Sequence, residues 1–305
     1  MFWHMMRRPL DLHDNIQLLA GYSLGSAVVA YVNGVMDWSA YFFGLLAVVT
    51  LSITMRLVEQ FFFPEETLMA RMEEALKLNQ ARKPGEGIVI DRPQYLFLLL
   101  AAPFLLVFFL ALWTLFRMGV MNGGALAMVL MIALLTGLAN KPPLHLAESK
   151  YRDFIDGAVL LLFPAGFGNL LQTDRFIDLS IILSLSLLLL FFALRIVRGL
   201  ERYDNDSRRE YDTFLNAVGW ERGMRLHNLL LLVAFFIPAV SLVLFAFPFE
   251  LFWPLLLAFA VAVFQLVQMV RIYNGAPVHW RLLRFSAYAT FYLFAYFAII
   301  TLLIR

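Results

Sequence analysis

The chain has no cysteine, and only 15% of its 305 residues are charged, against 62% that are hydrophobic. Without cysteine there is no disulfide framework, no thiol nucleophile and no Cys-ligated zinc. A soluble domain is roughly 45–50% apolar and about 25% charged. The scarcity of charge, with a mean hydropathy of +0.77, excludes both a soluble globular enzyme and a disordered chain. Neither sign of charge dominates, with 24 Lys and Arg against 22 Asp and Glu. The histidines His4, His13, His145, His227 and His279 show no metal-ligand spacing. Phosphate-binding and dinucleotide-binding glycine loops and the HExxH zinc motif are missing. No repeat of fixed period and no low-complexity segment stands out. Nucleic-acid binding has no support, because topology accounts for the basic residues.

What is abundant is long apolar runs. A membrane span needs about 20 mostly apolar residues, and windows of that length predict nine. They lie at about 16–35, 38–58, 94–116, 120–139, 153–171, 177–197, 226–246, 250–270 and 283–304. The first is a span and not a cleavable signal peptide, since its apolar stretch is long and Asp37-Trp38 leads straight into the next. The expected fold class is therefore all-α: a polytopic bundle of nine transmembrane helices forming one transmembrane domain over residues 1–305.

Nine spans place the N-terminus and the loops after spans two, four, six and eight on one side. That side collects about 21 Lys and Arg, and the other about 3, namely Arg117, Arg175 and Arg305. The positive-inside rule then sets the N-terminus in the cytoplasm and the C-terminus outside, as expected for a prokaryotic inner membrane. Two cytoplasmic segments are long, at roughly 59–93 and 198–225, and loops of that length are usually functional or disordered. They carry Glu65, Glu66, Arg71, Glu73, Glu74 and Lys77 in one, and Glu201, Asp204, Asp206, Arg208, Arg209, Glu210 and Asp212 in the other. Arg56 lies at the edge of an apolar run, where a charge normally faces a cavity or a partner. Arg195 and Arg198 read as interfacial anchors to anionic lipid. Gly166, Gly168 and Asn169 read as close helix packing, and Gln265 and Gln268 as hydrogen-bonding within the bundle.

This layout resembles the UbiA-type intramembrane prenyltransferase superfamily. The residues that carry the likeness are the opening from Pro9 to Trp38, Lys83-Pro84-Gly85-Glu86-Gly87, the stretch from Lys141-Pro142-Pro143-Leu144 to Phe163–Asn169, and above all Asp206, Thr213 and Gly219. These three match the family's second motif region without gaps. The family's metal-binding aspartates are only partly present. At the end of span two, Glu59 and Gln60 stand at Asn-Asp, with Phe63 and Thr67 at the later aspartates; a shift of one gives Glu59, Phe62 and Glu66. In the second motif Asp206 is kept while the earlier aspartate falls on Arg202.

The resemblance implies a bundle with a lipid-open cavity and a polar cytoplasmic mouth. It also implies transfer of an isoprenyl chain from a prenyl diphosphate to a lipophilic, aromatic or quinone-like acceptor, with Mg²⁺. The metal residues it points to are Glu59, Glu66, Asp204 and Asp206, and the diphosphate residues Arg56, Lys83, Arg202 and Arg208. Mg²⁺ takes one or two carboxylates plus substrate phosphates in octahedral oxygen geometry. Asp204 and Asp206, two apart, can share an ion only from a loop or turn. The incomplete motifs keep other readings open: a catalytically degenerate protein that holds a prenyl lipid, quinone or pigment, or serves as a structural subunit; a terpene cyclase; or a lipid transporter.

Overall fold

The computed structural model describes residues 12–62, 95–139, 151–208, 214–244 and 249–304, which form helices and no strand. In chain order they are α1 (Leu12–Asn33), α2 (Trp38–Phe62), α3 (Tyr95–Arg117) and α4 (Gly123–Ala139). Then come α5 (Arg152–Gln172), α6 (Asp178–Arg208), α7 (Phe214–Val218) and α8 (Trp220–Leu244). The short α9 (Phe249–Phe252), α10 (Leu255–Tyr273) and α11 (Trp280–Ile304) complete the chain. Eight of these helices are long and apolar enough to cross a bilayer, and α4 supplies a shorter apolar helix over Gly123–Gly137. The protein is an integral multi-pass membrane protein.

Helix ends differ from the apolar windows where polar residues prolong a helix beyond the hydrocarbon. α6 has 31 residues, about 46 Å at 1.5 Å each, against roughly 30 Å of hydrocarbon. α8 begins at Trp220 and carries Glu221, Arg222 and Arg225 in its first turns. Pro254 caps α10 and sets its start at Leu255, later than the window at 250, because proline is suited to a helix start and not an interior.

α1, α5 and α6 form the centre of the bundle, whereas α3, α8, α10 and α11 present large apolar faces outward. On α3, Leu106, Phe109 and Trp113 are exposed, as a side facing acyl chains requires. α1 and α5 pack nearly backbone to backbone. A Cβ on Gly21 would lie 2.8 Å from the Leu161 carbonyl oxygen. One on Gly25 would overlap the Ala165 carbonyl, and one on Gly168 the Tyr22 carbonyl. Without a hydrophobic force between helices in lipid, such small-residue seams supply van der Waals contact. Gly21-Tyr22-Ser23-Leu24-Gly25 spells GxSxG, but it lies within a helix and lacks the strand–turn–helix of a nucleophile elbow.

α5 is not uniform. It runs as α-helix over Arg152–Gly157, widens to a π turn over Ala158–Leu162 and resumes as α-helix over Phe163–Gln172. Pro164 explains the widening, since its ring cannot donate to Leu160 and crowds that carbonyl in a regular helix.

The two ends of the bundle differ in character. At one, Asp37 N–H donates to Gln172 Oε1 at 2.9 Å and Gln172 Nε2 returns a bond to the Asp37 carbonyl at 3.0 Å. Asn122 Nδ2 donates to the Leu170 carbonyl at 2.9 Å. The turns after α1, α3 and α5 are thus tied together at this end. The opposite end carries the charged side chains described next.

Candidate functional site at the charged end of the bundle

The charges gather where α1 and α5 begin and where α2 and α6 leave the hydrocarbon. Asp14, in the first turn of α1, pairs with Arg56 of α2, whose Nη2 is 3.2 Å from Asp14 Oδ2. Asp153 and Asp156 are three apart on α5 and share a face, and both turn to Arg195 of α6. Arg195 Nη2 donates to Asp156 Oδ2 at 2.7 Å. Its Nε lies 3.7 Å from Asp153 Oδ1, beyond hydrogen-bond reach. The guanidinium also sits 4.9 Å over the Phe191 ring, and the charge of Asp14 acts on it. Arg152 approaches Asp156 at 3.9 Å across one turn. One ion pair thus joins α2 to α1, and a second group joins α6 to α5.

Arg56 and Arg195 are each only 15% exposed. A guanidinium at the edge of hydrocarbon is costly unless paired, and these ion pairs account for both half-buried arginines. Farther out, Arg284 of α11 grips both carboxylate oxygens of Glu201 on α6, at 2.9 and 3.0 Å. His13 stacks on Tyr288, ring centroids 4.6 Å apart, and its Nδ1 is 3.2 Å from the Tyr292 hydroxyl. Behind Glu201, Leu200, Leu215, Met224, Met269 and Leu283 form a small core. Gly219, at φ +88°, turns α7 into α8 over it, which gives the expected Gly219 a backbone reason.

Of the residues expected from sequence, Arg56 has the partner foreseen for it. Glu59 is half-buried on α2 and engaged in an interaction of its own. Arg202 is exposed on α6. Asp204, Asp206 and Arg208 lie on the helical backbone of α6, with side chains outside the described residues, so no turn brings 204 and 206 together there. Glu66 and Lys83 also lie outside the described residues. The lipid-anchor reading of Arg195 is overturned by its bonds to Asp153 and Asp156. Sequence reasoning passed over Asp14, Asp153 and Asp156. Their signal was present: a carboxylate opening the first apolar run, and an Asp-x-x-Asp opening the fifth.

Among the described residues no group of three acidic or histidine side chains could hold a metal ion. Asp14, Asp153 and Asp156 face guanidiniums, whose positive charge stands where a cation would be needed. Of the side chains expected to hold Mg²⁺, those of Glu66, Asp204 and Asp206 lie outside the described residues.

Deeper in the bundle a neutral network joins α8, α10 and α11. Gln265 Nε2 lies 2.7 Å from His227 Nε2, and Thr290 Oγ1 donates to Gln265 Oε1 at 3.2 Å. With the His227 proton on Nδ1, that nitrogen donates to Asn228 Oδ1 at 3.1 Å. Gln268 Nε2 donates to Ser286 Oγ at 3.3 Å. Both glutamines thus bond within the bundle, as expected.

No family model and no curated protein sequence matches the chain. A solved structure does: a digeranylgeranylglyceryl phosphate synthase, 14% identical, with a TM-score of 0.61 over 99% of this chain and 96% of that one. That synthase is a UbiA-type intramembrane prenyltransferase. The fold is the UbiA-type fold. The helical bundle expected from the resemblance is thereby accounted for as a fold.

Proposed function

We propose that this UbiA-like protein transfers an isoprenyl chain from a prenyl diphosphate to a lipophilic acceptor inside the membrane. The observation that carries the reading is a UbiA-type fold over 99% of the chain whose charged end holds two half-buried arginines, Arg56 and Arg195, at the edge of the apolar core. In the reaction the allylic C–O bond breaks and its electron pair leaves with the diphosphate. The acceptor then attacks the allylic cation and gives up a proton. Stabilising the charge on the departing diphosphate is the main catalytic task, and guanidiniums do this by forked hydrogen bonds to phosphate oxygens. Lys83, Arg202 and Arg208 would add positive charge at the same end. The charged end faces the cytoplasm in this reading, with the N-terminus on that side and the C-terminus outside, in a prokaryotic inner membrane.

The test is incubation of detergent-purified protein with radiolabelled geranylgeranyl diphosphate and a panel of quinone-type, aromatic and glycerolipid acceptors. The expected result is an extractable prenylated product with one molecule of diphosphate released per transfer. Pairing of Asp14, Asp153 and Asp156 with guanidiniums favours a second reading, a protein that holds a prenyl lipid, quinone or pigment without chemistry. Tight binding of the prenyl compound with no release of diphosphate under any acceptor would establish that reading and overturn the first.

A further inference from the structure

We propose that the lipid-facing seam between α8 and α10 binds one anionic phospholipid of the surrounding bilayer, with its phosphate on Arg225 and Arg222 and an acyl chain along the seam. Neither helix carries Arg56 or Arg195, and the inference stands apart from the reaction proposed above. Three rungs join α8 to α10. From the charged end inward they are Arg225 Nη2 to the Tyr273 hydroxyl at 2.8 Å, His227 to Gln265 at 2.7 Å, and Phe235 against Phe259 with ring centroids 5.2 Å apart. The second rung is buried and the first exposed. On α8, Arg222, Arg225, Leu229, Leu232 and Phe236 recur at alternating intervals of three and four, which puts them on one helix face, and all five are exposed. On α10, Val263, Val267, Val270 and Tyr273 follow at intervals of four, three and three, and they too are exposed. The Arg225–Tyr273 pair thus stands at the head of a two-helix apolar strip. A phospholipid has the matching shape, with charge at one end and hydrocarbon below it.

Arg225 differs from the other arginines with described partners. Arg56, Arg195 and Arg284 hold carboxylates, which cancel their charge. Arg225 holds a neutral phenol oxygen, and its guanidinium lies 5.5 Å from the centre of the same ring. Tyr273 therefore fixes the fork without neutralising it. A guanidinium has five N–H donors, so a bond to Tyr273 leaves others for phosphate oxygens, which arginine binds in pairs. Arg222 stands three residues earlier on the same face. Glu221, four before Arg225, opposes them, which leaves two guanidiniums against one carboxylate in the first turns of α8. Basic residues between membrane helices at headgroup depth attract anionic lipid, and tyrosine favours the same depth. A zwitterionic headgroup brings a cation of its own, which the two arginines repel.

The test is native mass spectrometry of the full chain, stripped of lipid in detergent and titrated with phosphatidylglycerol or with phosphatidylcholine of the same acyl chains. The first phosphatidylglycerol should bind about fivefold or more tighter than phosphatidylcholine, the value of about one basic residue at an anionic surface. Arg225→Gln should abolish that preference, while Arg281→Gln, an exposed arginine at the start of α11, should keep it within about twofold. Glu221→Gln, which removes the opposing charge from an exposed position, should tighten phosphatidylglycerol binding by about fivefold, a gain that no folding defect can mimic. Glycerol phosphate, which has the headgroup charge and no chains, should not displace the lipid. Equal binding of the two lipids, an unchanged preference in Arg225→Gln, or no gain in Glu221→Gln would each overturn the inference. An equal loss in Arg281→Gln would overturn it by assigning the preference to the basic end as a whole, and displacement by glycerol phosphate would overturn it in favour of a soluble phosphate ligand.

Discussion

Gly25 touches the backbone of another helix, and no side chain can take its place without separating the two. Gly25→Ala should lower stability by about 1–3 kcal/mol, the usual penalty of overpacking. Gly123→Ala, where nothing lies within 4 Å of the added methyl, should leave the melting temperature in detergent unchanged or slightly raised. His227 and Gln265 form a complementary test. Both are fully buried, so His227→Leu removes one partner and leaves Gln265 Nε2 without its acceptor, at a cost of about 1–3 kcal/mol. Replacing both by leucine should recover part of that loss, because a matched apolar pair leaves neither of the two amide–imidazole partners unpaired. A double variant that melts no higher than His227→Leu would show that the histidine acts through packing and not through its bond to Gln265.

At the scale of the helix, α5 decides where its two aspartates point. Its π turn inserts a local change of phase between the Gly168 seam and the Asp153–Asp156 face, so that one helix serves both α1 and α6. Pro164→Ala removes the reason for widening. The regular helix that results would rotate Asp156 away from Arg195. In a double-mutant cycle between Arg195→Gln and Asp156→Asn, the coupling of about 1–3 kcal/mol expected for contacting residues should fall towards zero in the Pro164→Ala background. The proline was plain in the sequence, but its effect was not, since a helix can answer a proline by kinking, ending or widening. Arg195 shows the same limit from another side. Its nearest partner, Asp156, is 39 residues away in the chain, and hydropathy, which correctly marked its helix as a span, contains nothing about which neighbour a charge at its end will meet. Arg56 was easier to read because its depth in an apolar run demanded a partner, even though the partner's identity came only with the fold.

For the whole molecule, apolar run length and Lys/Arg asymmetry were enough to give the spans, because both follow from the bilayer itself and not from tertiary detail. Sidedness can be checked directly in a chain without cysteine, where each introduced thiol is the sole target. Cysteine placed at Asn33 or Asp174 should react with an impermeant maleimide on intact cells, whereas cysteine at Arg222 or Arg281 should react only after permeabilisation. All four positions are exposed, so reaction in the reverse pattern would invert the topology and with it the side on which the charged end lies.

The length of α6 bears on where a by-product would go. Having entered at Asp178, the helix has crossed the hydrocarbon after about twenty residues, close to Arg195 and well short of its end at Arg208. The arginines stand at the waterline and the rest of the helix rises above it. A leaving group with several negative charges would therefore be released already at the height of the lipid headgroups, directly into one aqueous compartment, while the oily product stays behind in the bilayer. In the proposed reaction release would in that sense be vectorial: the two halves of the substrate would part company across a single interface, and neither would have to traverse the membrane to do so.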